Sequence, residues 1–122
     1  MKHVVIIGAG PTGLFASSLL LGKGYSVDLY DQMSQAGRKL LLAGKSGLNI
    51  TNNKDAEIFY QAYGSHEKEM KPSLSRFTPT DLRYWLSELG IKTFEGSTGS
   101  VFPNSLKATE LLRLWMEKLN SY

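Results

Sequence analysis

The sequence predicts an α/β fold that opens on a parallel β-α-β crossover, and three observations carry that prediction. Val4-Val5-Ile6-Ile7 is an unbroken apolar run of β-branched residues; the glycine-rich turn Gly8-Ala9-Gly10-Pro11-Thr12-Gly13 follows it; and a helix-like apolar pattern then leads to Ser26-Val27-Asp28-Leu29-Tyr30. These parts fit within about 30 residues, the length of a parallel crossover unit.

The first run reads as a strand buried on both faces of a parallel sheet. Leu14, Phe15, Ser18, Leu19 and Leu21 continue a helical pattern to the stop signals Gly22 and Gly24. Val27, Leu29 and Tyr30 alternate with Ser26 and Asp28 in a second strand that ends at Asp31. From Gln32 to Asn53 the chain is basic and glycine-punctuated, which predicts a ligand-side loop in which Leu40-Leu41-Leu42 forms a helical turn. A short helix is expected from Asp55 to Tyr63, with Pro72 breaking any continuation beyond the charged run Glu67-Lys68-Glu69.

Thr78-Pro79-Thr80-Asp81 is a helix start: a capping hydroxyl, a proline suited to the first turn, and an acid at the positive end of the dipole. Leu82, Trp85, Leu86 and Leu89 mark its apolar face and Gly90 its end. Ile91–Phe94 and Ser100–Phe102 read as a hairpin around Gly96-Ser97-Thr98-Gly99. A last helix, Leu106 to Leu119, carries the stripe Leu111, Leu112, Trp115 and Leu119.

Composition bounds the function. A chain of 122 residues, 42% hydrophobic and 20% charged, suits one folded domain. Residues 1–54 carry six Lys/Arg against two Asp, and residues 55–122 eight against nine acids. The basic first half suits an anionic ligand, although solvated surface lysines account for the charge equally well. No Arg-rich stripe is present, so no nucleic-acid partner is expected. With no cysteine there is no thiolate nucleophile, and redox work would fall to a bound cofactor. His3 and His66 lie far apart, which argues against a metal site.

Residues 4–22 are uncharged and imitate a secretory signal, but Gly8, Gly10, Pro11 and Gly13 interrupt the helix that a signal or membrane span needs. The expectation is a cytoplasmic protein without membrane association. Gly44-Lys45-Ser46 resembles the end of a P-loop, but Lys39 stands where that motif needs glycine.

Gly8-x-Gly10-x-x-Gly13 satisfies the dinucleotide fingerprint in its required context, after a strand and at the opening of a helix, with Asp31 23 residues beyond Gly8. Gly8 permits the tight turn, Gly10 lets backbone approach a pyrophosphate, and Gly13 lets helix and strand pack closely. The helix N-terminus then offers unpaired amides and partial positive charge to the phosphates, with Pro11 and Thr12 in its first turn. Asp31 can accept ribose hydroxyls and would repel a 2'-phosphate. An ordinary strand-helix turn and a solvated strand-end acid remain the alternatives.

Gly37-Arg38-Lys39-Leu40-Leu41-Leu42-Ala43-Gly44-Lys45-Ser46-Gly47-Leu48-Asn49-Ile50-Thr51-Asn52 resembles a bacterial family of FAD-dependent oxidoreductases sometimes labelled aminoacetone-oxidase-like. Phe77, Trp85, Leu89-Gly90-Ile91 and Gly99 to Ala108 extend the likeness over nearly the whole chain. The resemblance implies a glutathione-reductase-type, Rossmann-like FAD-binding fold, with Gly37 and Arg38 near the FAD pyrophosphate and ribose. It also implies that Lys39, Gly44, Asn49 and Thr51 follow the flavin side, and that Gln32 lies beside Asp31 in the cofactor-binding set. Leu48 stands where many relatives have cysteine, and Ser100 where they have arginine.

Relatives in that family are about three times longer, a two- or three-domain scale. The expectation is therefore the N-terminal part of one FAD-binding domain: residues 1–54 as the β-α-β nucleotide-binding unit and Gly-Arg loop, and 55–122 as a helical segment with a short hairpin. The rest of the flavoprotein would complete the sheet and hold most of the site for a small-molecule substrate. Uncovered sheet surface would promote self-association of the fragment. The function expected is hydride or electron transfer through FAD, with NAD(P)H as a candidate electron donor and no catalytic residue nameable. An NAD-binding dehydrogenase domain and a non-catalytic nucleotide-binding module are the alternatives.

Overall fold

A computed structural model describes the whole chain, Met1–Tyr122, as an α/β fold of two compact units: Met1–Gly47 with Lys107–Tyr122, and Leu48–Leu106.

In the first unit, β1 (His3–Ile7) and β2 (Ser26–Tyr30) form a parallel pair in register from His3 opposite Ser26 to Ile7 opposite Tyr30. The crossover is α1 (Pro11–Gly22), with Leu14 and Ser17 buried. Lys23 closes α1, and Gly24 turns the chain back at φ +81°, a left-handed conformation that glycine adopts without a Cβ penalty. The Gly8 amide donates to the Tyr30 carbonyl at 2.7 Å, extending the strand ladder into the glycine turn.

The strand expected to be buried on both faces alternates instead. Val5 and Ile7 are 53% and 80% exposed, and Tyr30 on the neighbouring strand 57%. A sheet of two strands with one crossover helix has cover for a single face, so alternate residues of the β-branched run are left exposed on the other. The same open face brings His3 between Ser26 (3.0 Å) and Asp28 (3.1 Å), an acidic neighbour hidden in the sequence because parallel register creates it.

In the loop from Gln32 onward the helical turn expected at Leu40-Leu41-Leu42 is present as α2 (Arg38–Ala43). The last helix of this unit, α6 (Ala108–Asn120), buries Leu111, Leu112 and Trp115 as the stripe predicted. Trp115 Nε1 donates to Ser18 Oγ on α1 at 2.8 Å, satisfying a buried indole. A Cβ on Gly37 would stand 2.8 Å from Leu112 Cδ1, so this left-handed glycine (φ +67°) also permits the approach of α6.

In the second unit, β3 (Thr51–Asn52), β4 (Thr93–Glu95) and β5 (Ser100–Pro103) form an antiparallel sheet in the order β3-β5-β4. The hairpin expected between Ile91 and Phe102 is present with its first strand displaced by two residues, because Ile91 is spent as a buried plug (4% exposed) before the strand begins. β3 was missed within the presumed loop; at two residues it shows no alternation to read.

The helices of this unit are α3 (Ala56–Gln61), α4 (Glu67–Arg76) after a single 3-10 turn at Gly64–His66, and α5 (Pro79–Glu88). The expected break at Pro72 does not occur, and α4 runs four residues past it. This helix buries no side chain, so the Lys68 carbonyl that loses its Pro72 partner faces water. At α5 the reciprocal capping box forms as its residues predict: Asp81 N–H donates to Thr78 Oγ1 at 3.2 Å, and Thr78 N–H to the Asp81 carboxylate at 2.9 Å. Leu86, Ile91 and Val101 are buried, and Gly90 follows α5 at φ +90°. No helix of the chain is long and apolar enough to cross a membrane.

Candidate nucleotide-binding site

The glycine turn leaves β1 through Gly8 at φ +106°, a conformation that strains any side chain but glycine. Gly10 stands at the N-cap of α1, Pro11 at its first position, and no side chain caps the start of the helix. Pro11 and Thr12 are exposed, so this end of the dipole is open. A Cβ on Gly13 would fall deep inside contact with the Gly8 carbonyl oxygen, which makes Gly13 the position that lets α1 sit against the turn. A Cβ on Gly10 would meet nothing within 4 Å. Its missing side chain relieves no crowding within the chain and leaves open space above the backbone.

Ala9, between the glycines, is the residue that sequence reasoning overlooked. Buried to 4% exposure, it donates its amide to Asp31 Oδ2 at 2.7 Å and accepts the Gly37 amide on its carbonyl at 2.7 Å. One residue therefore ties three predicted parts together: the glycine turn, the strand-end acid and the Gly-Arg turn. The available sequence signal was its place between the two glycines, where backbone must face both neighbours.

Asp31 is engaged on both oxygens, since Oδ1 accepts the Met33 amide at 2.7 Å. The Met33 amide, then the Ala9 amide, hold its carboxyl below the ordinary value of 3.8, against weaker desolvation. Each oxygen keeps a second lone pair, so the carboxylate braces the turn and still presents acceptors outward.

Gln32 lies exposed beside Asp31. Gly37 is buried at the N-cap of α2, which starts at Arg38 and Lys39, both exposed, and ends at the buried Gly44. Arg38 Nη1 reaches Met33 Sδ at 3.9 Å, a weak contact that leaves the guanidinium nearly uncommitted. Eleven of the positions singled out from the sequence, Gly8 through Gly44, thus belong to the first unit. Asn49 and Thr51 belong to the second, Asn49 exposed and Thr51 opposite Val101 on β5. Leu48, where the resemblance has cysteine, is buried with its amide on the Leu106 carbonyl. No group of three or more His, Cys, Asp or Glu side chains comes together.

Comparison with known proteins agrees with this geometry. The family model described as the HI0933-like protein Rossmann domain matches residues 2–122. The chain is 35% identical over 98 residues to the ribosomal RNA dihydrouridine synthase of Haemophilus influenzae, covering 80% of this chain and 24% of that protein. Identity and coverage are the same for the Escherichia coli protein of that name. A shorter stretch of 36 residues is 44% identical to a 4,4'-diapophytoene desaturase of a Methylomonas species, covering 30% of this chain and 7% of that protein. The chain spans about a quarter of the length of the two synthases it matches. A glycine turn bound to a strand-end acid at an uncapped helix start, matched over residues 2–122, makes the chain a member of the HI0933-like Rossmann domain family, nucleotide-binding and of the flavoprotein type.

Proposed function

We propose that this chain holds the ADP half of FAD in a flavin-dependent oxidoreductase. The observation that carries the reading is the open start of α1, where a turn crowded by Gly13 and braced by Asp31 offers amides and partial positive charge to a diphosphate. The donor set fits the group. Thr12 and Gly13 stand at the uncapped helix start, Asp31 keeps outward lone pairs for ribose hydroxyls, and exposed Arg38 and Lys39 supply mobile positive charge. When bound, FAD supplies the two-electron chemistry, and the chain supplies position and charge. Gly37 and Arg38 favour FAD over a nicotinamide cofactor, because the resemblance to glutathione-reductase-type flavoproteins puts a Gly-Arg pair near the FAD pyrophosphate and ribose, and the Ala9–Gly37 bond holds that turn beside the first.

For the substrate we propose a uridine nucleotide carried in RNA, in place of the small molecule that the family resemblance implied and against the absence of a nucleic-acid partner expected from composition. The matches to two proteins named for ribosomal RNA dihydrouridine synthesis favour it over the aminoacetone-oxidase-like reading, which rests on motif resemblance alone. The reaction class would be addition of a hydride and a proton across the uracil C5–C6 double bond, with NAD(P)H as the source of the two electrons.

The test is cofactor loading. The purified protein, mixed with FAD and desalted, is expected to keep flavin absorbance and to quench flavin fluorescence, with NADH failing to displace FAD. Absence of retained flavin after reconstitution would refute the proposal, and displacement by NADH would favour a dehydrogenase.

A further inference from the structure

The second unit contains a half-open cavity of about 400 Å3 lined by residues of that unit alone. That volume lies in the range of small-molecule sites. Its polar end is a relay built from three separate elements. Arg83 on α5 donates Nε to Thr93 Oγ1 at 2.9 Å and Nη1 to Glu95 Oε1 at 2.8 Å, and Asn53 Nδ2 donates to Glu95 Oε2 at 3.0 Å. Residues after β3, on α5 and on β4 are thereby held in one arrangement, which side chains on a single loop would not achieve.

The relay is not saturated. A guanidinium carries five N–H donors, and the bonds of Arg83 use its Nε and Nη1 only, leaving Nη2 with donors to spare. The Asn53 amide oxygen lies against Gly99, and Asn52 spends its side-chain oxygen on the Lys54 amide at 3.1 Å while its NH2 stays open. Glu95 remains ionised at neutral pH, because the Asn53 amide and then the Arg83 guanidinium hold its carboxyl below the ordinary value.

The other walls are of different character. Phe59 and Tyr60 line the cavity, and the Lys71 ammonium lies 5.3 Å from the Tyr60 ring centroid. Lys54, exposed and without an ion-pair partner, stands at the same opening. An aromatic wall, a rigid set of alternating donors and acceptors, and one free cation together describe a planar ring with carbonyl and N–H groups along one edge and an anionic tail.

We propose that this cavity receives a pyrimidine nucleotide, its ring against Phe59, its polar edge on the Arg83–Glu95–Asn53 relay and its phosphate toward Lys54. The inference deepens the substrate reading above and rests on it. It adds a site within residues 48–106 that the glycine motif does not predict.

The experiment uses the FAD-loaded protein and measures binding of UMP, uridine, ribose 5-phosphate and a short oligouridylate by titration calorimetry. UMP is expected to bind more tightly than uridine, and ribose 5-phosphate to lose nearly all affinity. Lys54→Ala, a change at an exposed and unpartnered side chain, should weaken UMP by about tenfold and leave uridine unchanged. Phe59→Leu should weaken UMP and uridine alike by about tenfold, since it removes stacking but keeps an apolar filler. Tighter binding of oligouridylate than UMP would support the pocket with an RNA-borne nucleotide; equal affinity would support it with a free one. Retained flavin with no UMP binding, or UMP binding indifferent to both substitutions, would overturn this inference alone. Failure to retain flavin would overturn the reading beneath it.

Discussion

Asp31 accepts the Ala9 amide at 2.7 Å, so the acid that ends the second strand also holds the glycine turn that follows the first. Asp31→Asn keeps at most one acceptor for the two amides that the carboxylate now serves. We expect FAD affinity to fall by about tenfold, through a loosened turn and weaker ribose acceptance together. Fluorescence titration with FAD reads the change directly, and an unchanged affinity would mean that the turn keeps its form without the acid.

The same contact sets a pH dependence. Because the folded carboxyl titrates below its ordinary value, its stabilising contribution is complete above pH 3.8 and fades as pH falls through the lowered value. Acid titration of unfolding should therefore show a loss of stability below pH 3.8 that shrinks in Asp31→Asn. Asp81, lowered by its bonds from the Thr78 amide and hydroxyl, contributes in the same window, and Glu95, lowered by Asn53 and Arg83, contributes from pH 4.5 downward, so the loss should shrink without vanishing.

Gly13→Ala places a methyl group against the Gly8 carbonyl, a backbone group that cannot swing aside as a side chain would. Overpacking of this kind costs about 1–3 kcal/mol, so the thermal midpoint should fall by roughly 5 °C or more. Gly10→Ala meets no atom of the chain and should leave the midpoint nearly unchanged while weakening FAD. Paired melting curves with and without FAD separate crowding within the fold from crowding of the ligand.

Trp115 is 4% exposed, and its indole N–H is bonded to Ser18. Trp115→Phe loses that bond at a cost of about 1 kcal/mol, whereas Trp115→Ala opens a cavity and costs about 3–5 kcal/mol. Urea denaturation should rank the three proteins in that order. Equal midpoints would show that α6 contributes little to the first unit.

At the other unit, Thr78→Ala removes the acceptor for the Asp81 amide and should cost about 1 kcal/mol, read by the same denaturation.

Much of the first unit was legible because its signals are local. The β-branched run, the glycine spacing, the stop at Gly22–Gly24 and the stripe of α6 each sit within a window shorter than one element. At Thr78–Asp81 the capping residues are neighbours in the chain, and the helix starts where they predict. The misreadings have a common origin in longer-range context. Pro72 is tolerated because α4 is exposed, Ile91 is coil because it is needed as a plug, and Thr51–Asn52 is a strand only because β5 lies beside it.

The sequence by itself determined where the chain must turn and that α1 starts without a side-chain cap, since glycine's freedom and its lack of a capping group are properties of the residue itself. Tertiary structure alone decided that Ala9 would join Asp31 and Gly37, and that Asn53, Arg83 and Glu95 would meet. Those bonds link positions 12 to 42 residues apart in the chain. Their partners are selected by the pairing of strands and the packing of helices, which no short window of sequence contains.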